Sequence, residues 1–531
     1  MIHRRRLAAL GAALATATAV CTATMIAPVM TAAPARAASA GTGTGYLHTS
    51  GSKILDSTGA TVRLTGLNWF GMETDNKTFH GLWASVTWKD QLDHMAQLGY
   101  NTIRVPFSGD ALKSGAKATG INDYVNPDLI GLSPLEILDR VVDHAGRKGM
   151  RILLDRHRPS SGGQTPLWYT ASVSEASMIA DWEMLAKHYA GNTTVIGADL
   201  FNEPHAEGTA PNGTGACWGC GDPERDWRLA AQRIGNAILK VQPKWLIVVE
   251  GVSCPSGGSP NVWDSEPDDP MECGWWGGNL SAAKQYPVKL DVADQLVYSA
   301  HEYGISVYDR QPWFKESDFP NNLPAVWDHF WGYLQKENTA PVLIGEFGST
   351  LADPLDTQWL TKLMSYMGSG TSGMSFTYWS WNPNSGDTGG IVGDDWQTVN
   401  QAKQKILSPY LVPPVPTSGP DPTGGPTTTP TQSTRTCTAA LEATNTWDDG
   451  FQGEVTVTAG TSAITGWTVS WKASDGLSVQ QAWSGDLVSS EGTVTVKNLA
   501  WNGALKAGAS TTFGFQALGT MGSPTLTCTA S

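Results

Sequence analysis

The sequence predicts an α/β chain: a (β/α)8 TIM barrel followed by a C-terminal all-β sandwich module, and three features carry that reading. Eight apolar, strand-like runs recur over the first 411 residues with helix-like stretches between them, which is the count a closed parallel barrel needs. From Val412 to Thr436 the chain is almost wholly Pro, Thr, Ser and Gly, a composition that buries no core and behaves as an extended tether. Residues 437–531 then alternate Thr/Val-rich runs such as Gly453 to Thr458 and Gly492 to Lys497 with turn residues, the period-two pattern of a sandwich.

In order, the runs of the first part are Val62 to Phe70, Asn101 to Phe107, Met150 to His157, Val195 to Phe201, Trp245 to Val249, Leu296 to Ala300, Pro341 to Ile344 and Met374 to Trp381. Pro134 to Lys148 and Asp226 to Val241 space their apolar residues as helices do, with Pro134 standing at a helix start. An open doubly wound sheet is the competing fold, and it would carry a glycine-rich phosphate loop after its first strand. Gly368-Ser-Gly-Thr-Ser-Gly373 has that glycine spacing but precedes a strand, so it reads as a loop.

The N-terminus combines His3-Arg4-Arg5-Arg6, an apolar stretch from Leu7 onward and the small-x-small site Ala35-Arg36-Ala37. This is the pattern of an export signal over residues 1–37, hence of a secreted, extracellular protein; the Arg run leaves the twin-arginine route open. Thr and Pro interrupt the stretch and no later segment approaches about 18 uninterrupted apolar residues, so no membrane anchor is expected. Cys21 lacks a small residue before it and does not support lipid attachment. The domain boundaries expected are 38–411 for the barrel, 412–436 for the tether and 437–531 for the sandwich.

Without Cys21, six of the seven cysteines remain, an even number suited to an oxidising compartment. Cys217-Trp-Gly-Cys220 has half of a zinc site's spacing, but no second pair completes it, so it reads as a local disulfide. Cys254 and Cys273 bracket a Pro/Gly/Ser-rich insertion and would staple it. Cys437 and Cys528 lie near the two ends of the last segment, where a bridge would close a long loop. These pairings rest on proximity in sequence.

A net charge of −14, with no basic patch beyond the first residues, disfavours a nucleic-acid partner. The 23 tryptophans point another way, because exposed indole faces grip sugar rings or other flat apolar faces. Glu203, in Asn202-Glu203-Pro204-His205, directly follows the fourth run, and Glu346, in Gly345-Glu346-Phe347-Gly348, directly follows the seventh. In parallel α/β proteins that strand edge is where chemistry is done. Two carboxyls there suit cleavage of a glycosidic bond, one protonating the leaving oxygen while the other attacks or activates water. His301-Glu-Tyr-Gly-Ile305 lacks the second His of a zinc-protease helix, and no G-x-S-x-G elbow is present. No metal or cofactor is expected. Glu250, in Val248-Val249-Glu250-Gly251, is a third strand-end carboxylate and reads as a supporting acid.

These motifs resemble glycoside hydrolase family 5, a family of retaining (β/α)8 glycosidases with catalytic acids after strands 4 and 7. The resemblance covers roughly residues 45 to 410 and is strongest to actinobacterial endo-β-1,4-glucanases. It implies that Glu203 is the acid/base and Glu346 the nucleophile, about 5 Å apart. It implies that Arg104 keeps the nucleophile ionised, that His157 contacts sugar hydroxyls, and that Asn202 binds the 2-hydroxyl. His301 and Tyr303 match the pair beside the acid and the nucleophile, Trp379 the indole under the sugar being attacked, and Trp83 a sugar platform. The charge of Glu346 is expected to raise the pKa of Glu203. Trp275 and Trp276 receive no role. The chain departs from its nearest relatives in having no cysteine in Glu73-Thr-Asp-Asn76 and in carrying the insertion between Cys254 and Cys273.

Trp447-Asp-Asp-Gly450-Phe451, Gly466-Trp467, Trp471, Trp483 and Trp501-Asn-Gly503 resemble a family 2 carbohydrate-binding module. That resemblance implies a strip of exposed indoles, Trp447, Trp483 and Trp501, with Trp467 and Trp471 buried. The cellulose-binding branch carries glycine at the place of Gly450, so cellulose is the expected partner, bound by a monomer. The expected function is a secreted endo-β-1,4-glucanase. Mannanase or mixed-linkage activity is the alternative within the family, and a non-catalytic cellulose-adhesion protein the alternative outside it.

Overall fold

The computed structural model describes residues 41–259, 271–416 and most of 436–530, without 448–449, 461, 474–476, 490–491, 500–501, 504 and 520–523. The predicted export signal, the centre of the tether and Trp501 lie outside the described residues.

Eight parallel strands close into a barrel. They are β1 (Thr65–Asn68), β2 (Thr102–Ser108), β3 (Arg151–Arg158), β4 (Val195–Asp199), β5 (Leu246–Glu250), β6 (Leu296–Tyr303), β7 (Val342–Gly348) and β8 (Ser375–Tyr378). Each pairs with its sequence neighbour, and β8 closes on β1 through Phe376↔Thr65. All eight fall on the predicted runs. β6 and β7 continue past their apolar stretches to take in His301, Tyr303 and Glu346, because those polar residues meet partners inside the barrel.

The outer helices are α1 (Trp88–Gln97), α2 (Pro134–Arg147), α3 (Glu175–His188), α4 (Trp227–Val241), α5 (323–336), α6 (Pro354–Met367) and α7 (Gln401–Leu407). α2 starts where the sequence places it. The Ser133 side chain caps Glu136 N–H and the Glu136 carboxylate returns to the Ser133 backbone, a reciprocal cap that stabilises a helix start by about 1 kcal/mol. Its Ile137, Leu138, Val141 and Val142 are buried. Among the described residues no helix joins β5 to β6; that connection carries the Cys254–Cys273 disulfide. No described helix is long and apolar enough to cross a membrane.

A small antiparallel sheet, His48–Ser50, Lys53–Leu55 and Thr61–Val62, was not legible in the sequence. Leu47, Ile54, Val62 and Leu64 join Leu153, Ile196, Leu246, Val248, Val297 and Leu343 in one buried cluster. Most of these barrel residues stand near the N-terminal ends of their strands, so the sheet plugs the end opposite the two glutamates. Val62 therefore belongs to this plug and not to β1. The first residues of the Pro-rich segment are also held: Asn101 Nδ2 donates to Val412 O at 2.7 Å and Val412 N–H donates to Thr65 Oγ1 at 3.0 Å.

The C-terminal part folds as two four-stranded sheets. One contains β9 (Cys437–Trp447), β10 (Gly450–Ala459), β15 (Ser510–Leu518) and β12 (Ser478–Trp483) in that order. The other contains β13 (Asp486–Ser489), β14 (Thr493–Lys497), β11 (Trp467–Lys472) and β16 (Thr527–Ala530). Trp467 and Trp471 are buried between them with Val455, Val457, Phe513 and Phe515. The three predicted disulfides are present: Cys217–Cys220, Cys254–Cys273 and Cys437–Cys528.

On β6, His301 and Tyr303 face the barrel interior and Glu302 faces outward into a nest of indoles, with Trp331 Nε1 3.4 Å from its Oε1. Burial pushes this carboxyl up to about 8 from 4.5, against the indole N–H groups that favour the anion. The side chain is neutral when folded and ionised when unfolded between those two values, so stability drains away as pH rises through the window. Glu302→Gln should gain about 4 kcal/mol on the parent between pH 4 and pH 9, read as the difference in urea midpoints. Parallel stability curves for the two proteins would rule this out.

Candidate active site

Arg104, on β2, is completely buried, and all five of its N–H donors are used. Nε donates to Asp199 Oδ2 (2.8 Å), Nη1 to Asn68 Oδ1 (3.0 Å) and Glu346 Oε1 (2.6 Å), and Nη2 to Asn202 Oδ1 (3.0 Å) and Glu250 Oε1 (2.9 Å). Asp155 Oδ2 lies 3.1 Å from Nη1. A guanidinium can satisfy this many acceptors in one plane because its fork is rigid and permanently charged.

Glu346 reaches the interior through a break in register. β7 and β6 pair Ile344↔Ala300 and then Glu346↔His301, leaving Gly345 as an extra residue. Such a bulge re-aims the side chain that follows it. A Cβ on Gly345 would stand 2.5 Å from Ser299 Oγ, so any larger residue there displaces that hydroxyl. Tyr303 OH donates to Glu346 Oε2 at 2.5 Å, and both carboxylate oxygens of Glu346 are thereby fixed.

Glu203 stands just beyond β4 with φ at +50°, a left-handed conformation that non-glycine residues adopt at a cost. Its own N–H donates to Glu250 Oε2 at 2.8 Å, which holds the turn. His301 Nδ1 lies 2.9 Å from Glu203 Oε1, and Gln164 Nε2 donates to Oε2 at 2.8 Å. The same His301 nitrogen is 3.6 Å from Glu346 Oε2. Carboxylate oxygens of Glu203 and Glu346 come within 4.8 Å of each other. Two acids and an imidazole this close have the spacing of metal ligands, but here Arg104 and His301 already supply the compensating positive charge.

The electrostatics follow from placing five acids around two cations. Burial is the largest influence on each floor acid and outweighs Arg104: Asp155 rises well above its ordinary value, Asp199 rises to about 7, and Glu250 is also raised. Burial pushes His301 down, but Glu250, Glu346 and the bond to Glu203 lift it well above an ordinary imidazole. Glu203 shows the reverse of the sequence expectation. Burial raises it, yet the bonds from His301 and Gln164 and the charge on His301 hold it below the usual carboxylate range. The expectation counted only the repulsion from Glu346 and missed the imidazolium between the two acids.

His157 is buried, and burial pushes it down to about 3, so it is neutral at ordinary pH. Its Nδ1 lies 2.6 Å from Asp155 Oδ2. Its ring lies parallel to that of Trp379 at 5.5 Å, and Trp379 in turn stacks on Phe70 at 5.2 Å. Trp83, 42% exposed, stands at the rim edge-on to Trp396. The structure thus gathers Arg104, His157, Asn202, Glu203, His301, Tyr303, Glu346 and Trp379 around one cavity floor, with Trp83 further out.

Sequence reasoning passed over Asn68, Asp155, Asp199 and Gln164. The alternation Asp155-x-His157 places both side chains on one strand face and was the available signal; Gln164, on a loop, gave none. The two unassigned indoles separate: Trp275 is buried against Tyr303 at 5.8 Å, whereas Trp276 is 47% exposed. Trp276 stacks on His205 at 3.7 Å, whose Nδ1 meets Glu203 O at 2.7 Å.

The family described as cellulase (glycosyl hydrolase family 5) matches residues 55–385. The chain belongs to glycosyl hydrolase family 5. Residues 437–530 match the cellulose binding domain family. The family 5 barrel is similar to the endoglucanase of Paenibacillus polymyxa, 49% identical over 371 residues that span 70% of this chain and 88% of that protein. The major extracellular endoglucanase of Xanthomonas campestris pv. campestris is 40% identical over 387 residues, 72% of this chain and 74% of that one. Among solved structures, a variant endocellulase of Pyrococcus horikoshii in complex with cellotetraose aligns with a TM-score of 0.63 and 43% identity, covering 69% of this chain and 98% of that one.

In this family 5 barrel the imidazole of His301 should carry both ring protons at pH 7.5, visible in the 15N shifts of labelled histidine. Glu250→Gln removes the largest of the charges that hold the second proton, so His301 should lose it at a lower pH than in the parent. A singly protonated ring at pH 7.5 in the parent would contradict the charge placement.

Proposed function

We propose that the chain is a secreted endo-β-1,4-glucanase that cleaves internal linkages of cellulose with retention of configuration, Glu203 being the acid/base and Glu346 the nucleophile. The observation that carries the retaining assignment is that a carboxylate oxygen of Glu203 lies within 4.8 Å of one of Glu346. Double displacement uses acids about 5 Å apart, whereas inversion needs about 6.5–9.5 Å to admit a water.

In the first step Glu346 attacks the anomeric carbon, the glycosidic C–O bond breaks, and Glu203 gives its proton to the leaving oxygen. In the second, Glu203 takes a proton from water, whose oxygen attacks the same carbon and releases Glu346. Arg104 and Tyr303 hold the two oxygens of the attacking carboxylate in place. The hydrogen bond between His301 Nδ1 and Glu203 Oε1 is the route by which the acid receives its proton from the imidazolium. Asn202 faces the 2-hydroxyl, where a hydrogen bond strengthens as the oxocarbenium character develops. His157 and Trp379 border the sugar under attack, and Trp83 extends the platform.

The names of the relatives, endoglucanases and an endocellulase with bound cellotetraose, support a β-1,4-glucan as substrate. The match to a cellulose binding domain supports delivery to insoluble cellulose through Trp447, Trp483 and Trp501. Residues 38–411 and 437–531 act as two units joined by the tether 412–436, after export directed by residues 1–37.

Hydrolysis of cello-oligosaccharides followed by NMR should release the β-anomer first, and carboxymethylcellulose should be cut faster than galactomannan. An initial α-product would exclude the retaining assignment, and faster mannan cleavage would exclude the glucanase. Glu346→Ala should lose at least about a thousandfold in kcat. Glu203→Ala, assayed on an aryl cellobioside, should recover turnover with azide as the incoming nucleophile. Failure of that rescue would remove Glu203 from the acid/base role.

A further inference from the structure

The outer face of the sheet β9–β10–β15–β12 alternates with its core. Along β10, Phe451, Val455 and Val457 are buried, whereas Glu454 points out. Register places Gly514 of β15 opposite Glu454 on one side and Trp483 of β12 on the other, so Gly514 belongs to this outer face. A Cβ on Gly514 would lie 2.3 Å from Trp483 Cε2 and Cζ2 and 2.4 Å from Nε1. Those are its three nearest neighbours, and each is closer than real Cβ contacts come. The indole of Trp483 therefore lies on the bare backbone of the adjacent strand while remaining 42% exposed. Trp447 also approaches Gly450, where a Cβ would meet its Cε2 and Nε1 at 2.8 Å, but there the nearest atom is the backbone oxygen of Ala517 at 2.5 Å.

Neither glycine has a positive φ. The backbone at Gly514 is one that any residue adopts, and glycine weakens a strand interior. Its presence is accounted for by the indole and not by the chain path. We propose that Gly514 is a positioning residue for polysaccharide binding: it seats Trp483 flat on the sheet so that the module presents indoles suited to the flat face of a β-1,4-glucan. Any side chain there lifts or turns the ring away from the plane of the face. This inference rests on the cellulose-binding reading of the module.

The test uses the full chain and depletion from suspension by microcrystalline cellulose. Gly514→Val, a good strand former on an outer face, should weaken binding about tenfold, as Trp483→Ala does, and Gly514→Ala should fall between parent and valine. In a Trp483→Ala background, adding Gly514→Val should change affinity by less than about twofold, because no indole is left to displace. A further large loss in the double variant would show a merely structural glycine and overturn the proposal, as would parent-like binding by Gly514→Val. Parent-like binding by Trp483→Ala would overturn it differently, by removing the cellulose-binding face on which it rests.

Discussion

The centre of the barrel depends on one buried cation. Arg104 touches Asp155, Asp199, Glu250 and Glu346, and without it four carboxyls would share a dry interior with His301 as the sole compensating charge. Buried charges are costly unless fully paired and hydrogen-bonded. Arg104 meets that condition with every donor it has. The consequence is directional: the guanidinium lies in the barrel interior and orients Glu346 from one side, while the opposite side of its carboxylate meets Tyr303. Glu203, which Arg104 does not touch, is left to respond to His301 and Gln164. The unequal behaviour of two chemically identical side chains follows from that difference in partners.

His301 links the two acids through one imidazole. Its Nδ1 approaches both carboxylates and its Nε2 lies 3.3 Å from Glu250. The surrounding acids raise the imidazole against the effect of its burial, and the imidazole in turn lowers Glu203. The 2.9 Å hydrogen bond between His301 Nδ1 and Glu203 Oε1 lets a proton change sides without crossing solvent.

Much of this was legible in the sequence because barrel strands announce themselves by composition and their C-terminal ends by polarity. Glu203 and Glu346 were readable as strand-end acids, and Arg104 and His157 gained meaning only from the barrel context. What was not legible depended on geometry that composition does not encode. The bulge at Gly345 reverses the facing of Glu346 relative to Leu343, and no periodicity reports an extra residue. The plugging sheet of residues 48–62 is built from strands of two or three residues, too short to show alternation. The floor acids Asp155 and Asp199 sit inside apolar runs and read as exceptions to them. The lowered pKa of Glu203 required knowing that a third group stands between the two acids.

Both domains bring side chains close against backbone where a Cβ is missing. Gly345 leaves room for Ser299 beside Glu346; Gly277, also held at a φ of +68°, leaves room for Glu250, whose Oε2 lies 2.3 Å from where a Cβ on Gly277 would be; Gly514 leaves room for the Trp483 indole, and Gly450 for the Ala517 backbone oxygen and the Trp447 indole. In each case the neighbouring group approaches backbone more closely than any side chain would allow. A strand or loop glycine weakens its own element, so one that persists beside an acid or an aromatic ring marks a position where close approach is worth more than local stability. Applied to the carboxylates, this fixes orientation within the buried network around Arg104 and His301. Applied to the indoles, it makes the binding face a property of main-chain flatness, which a polymer with a flat face can match along its length.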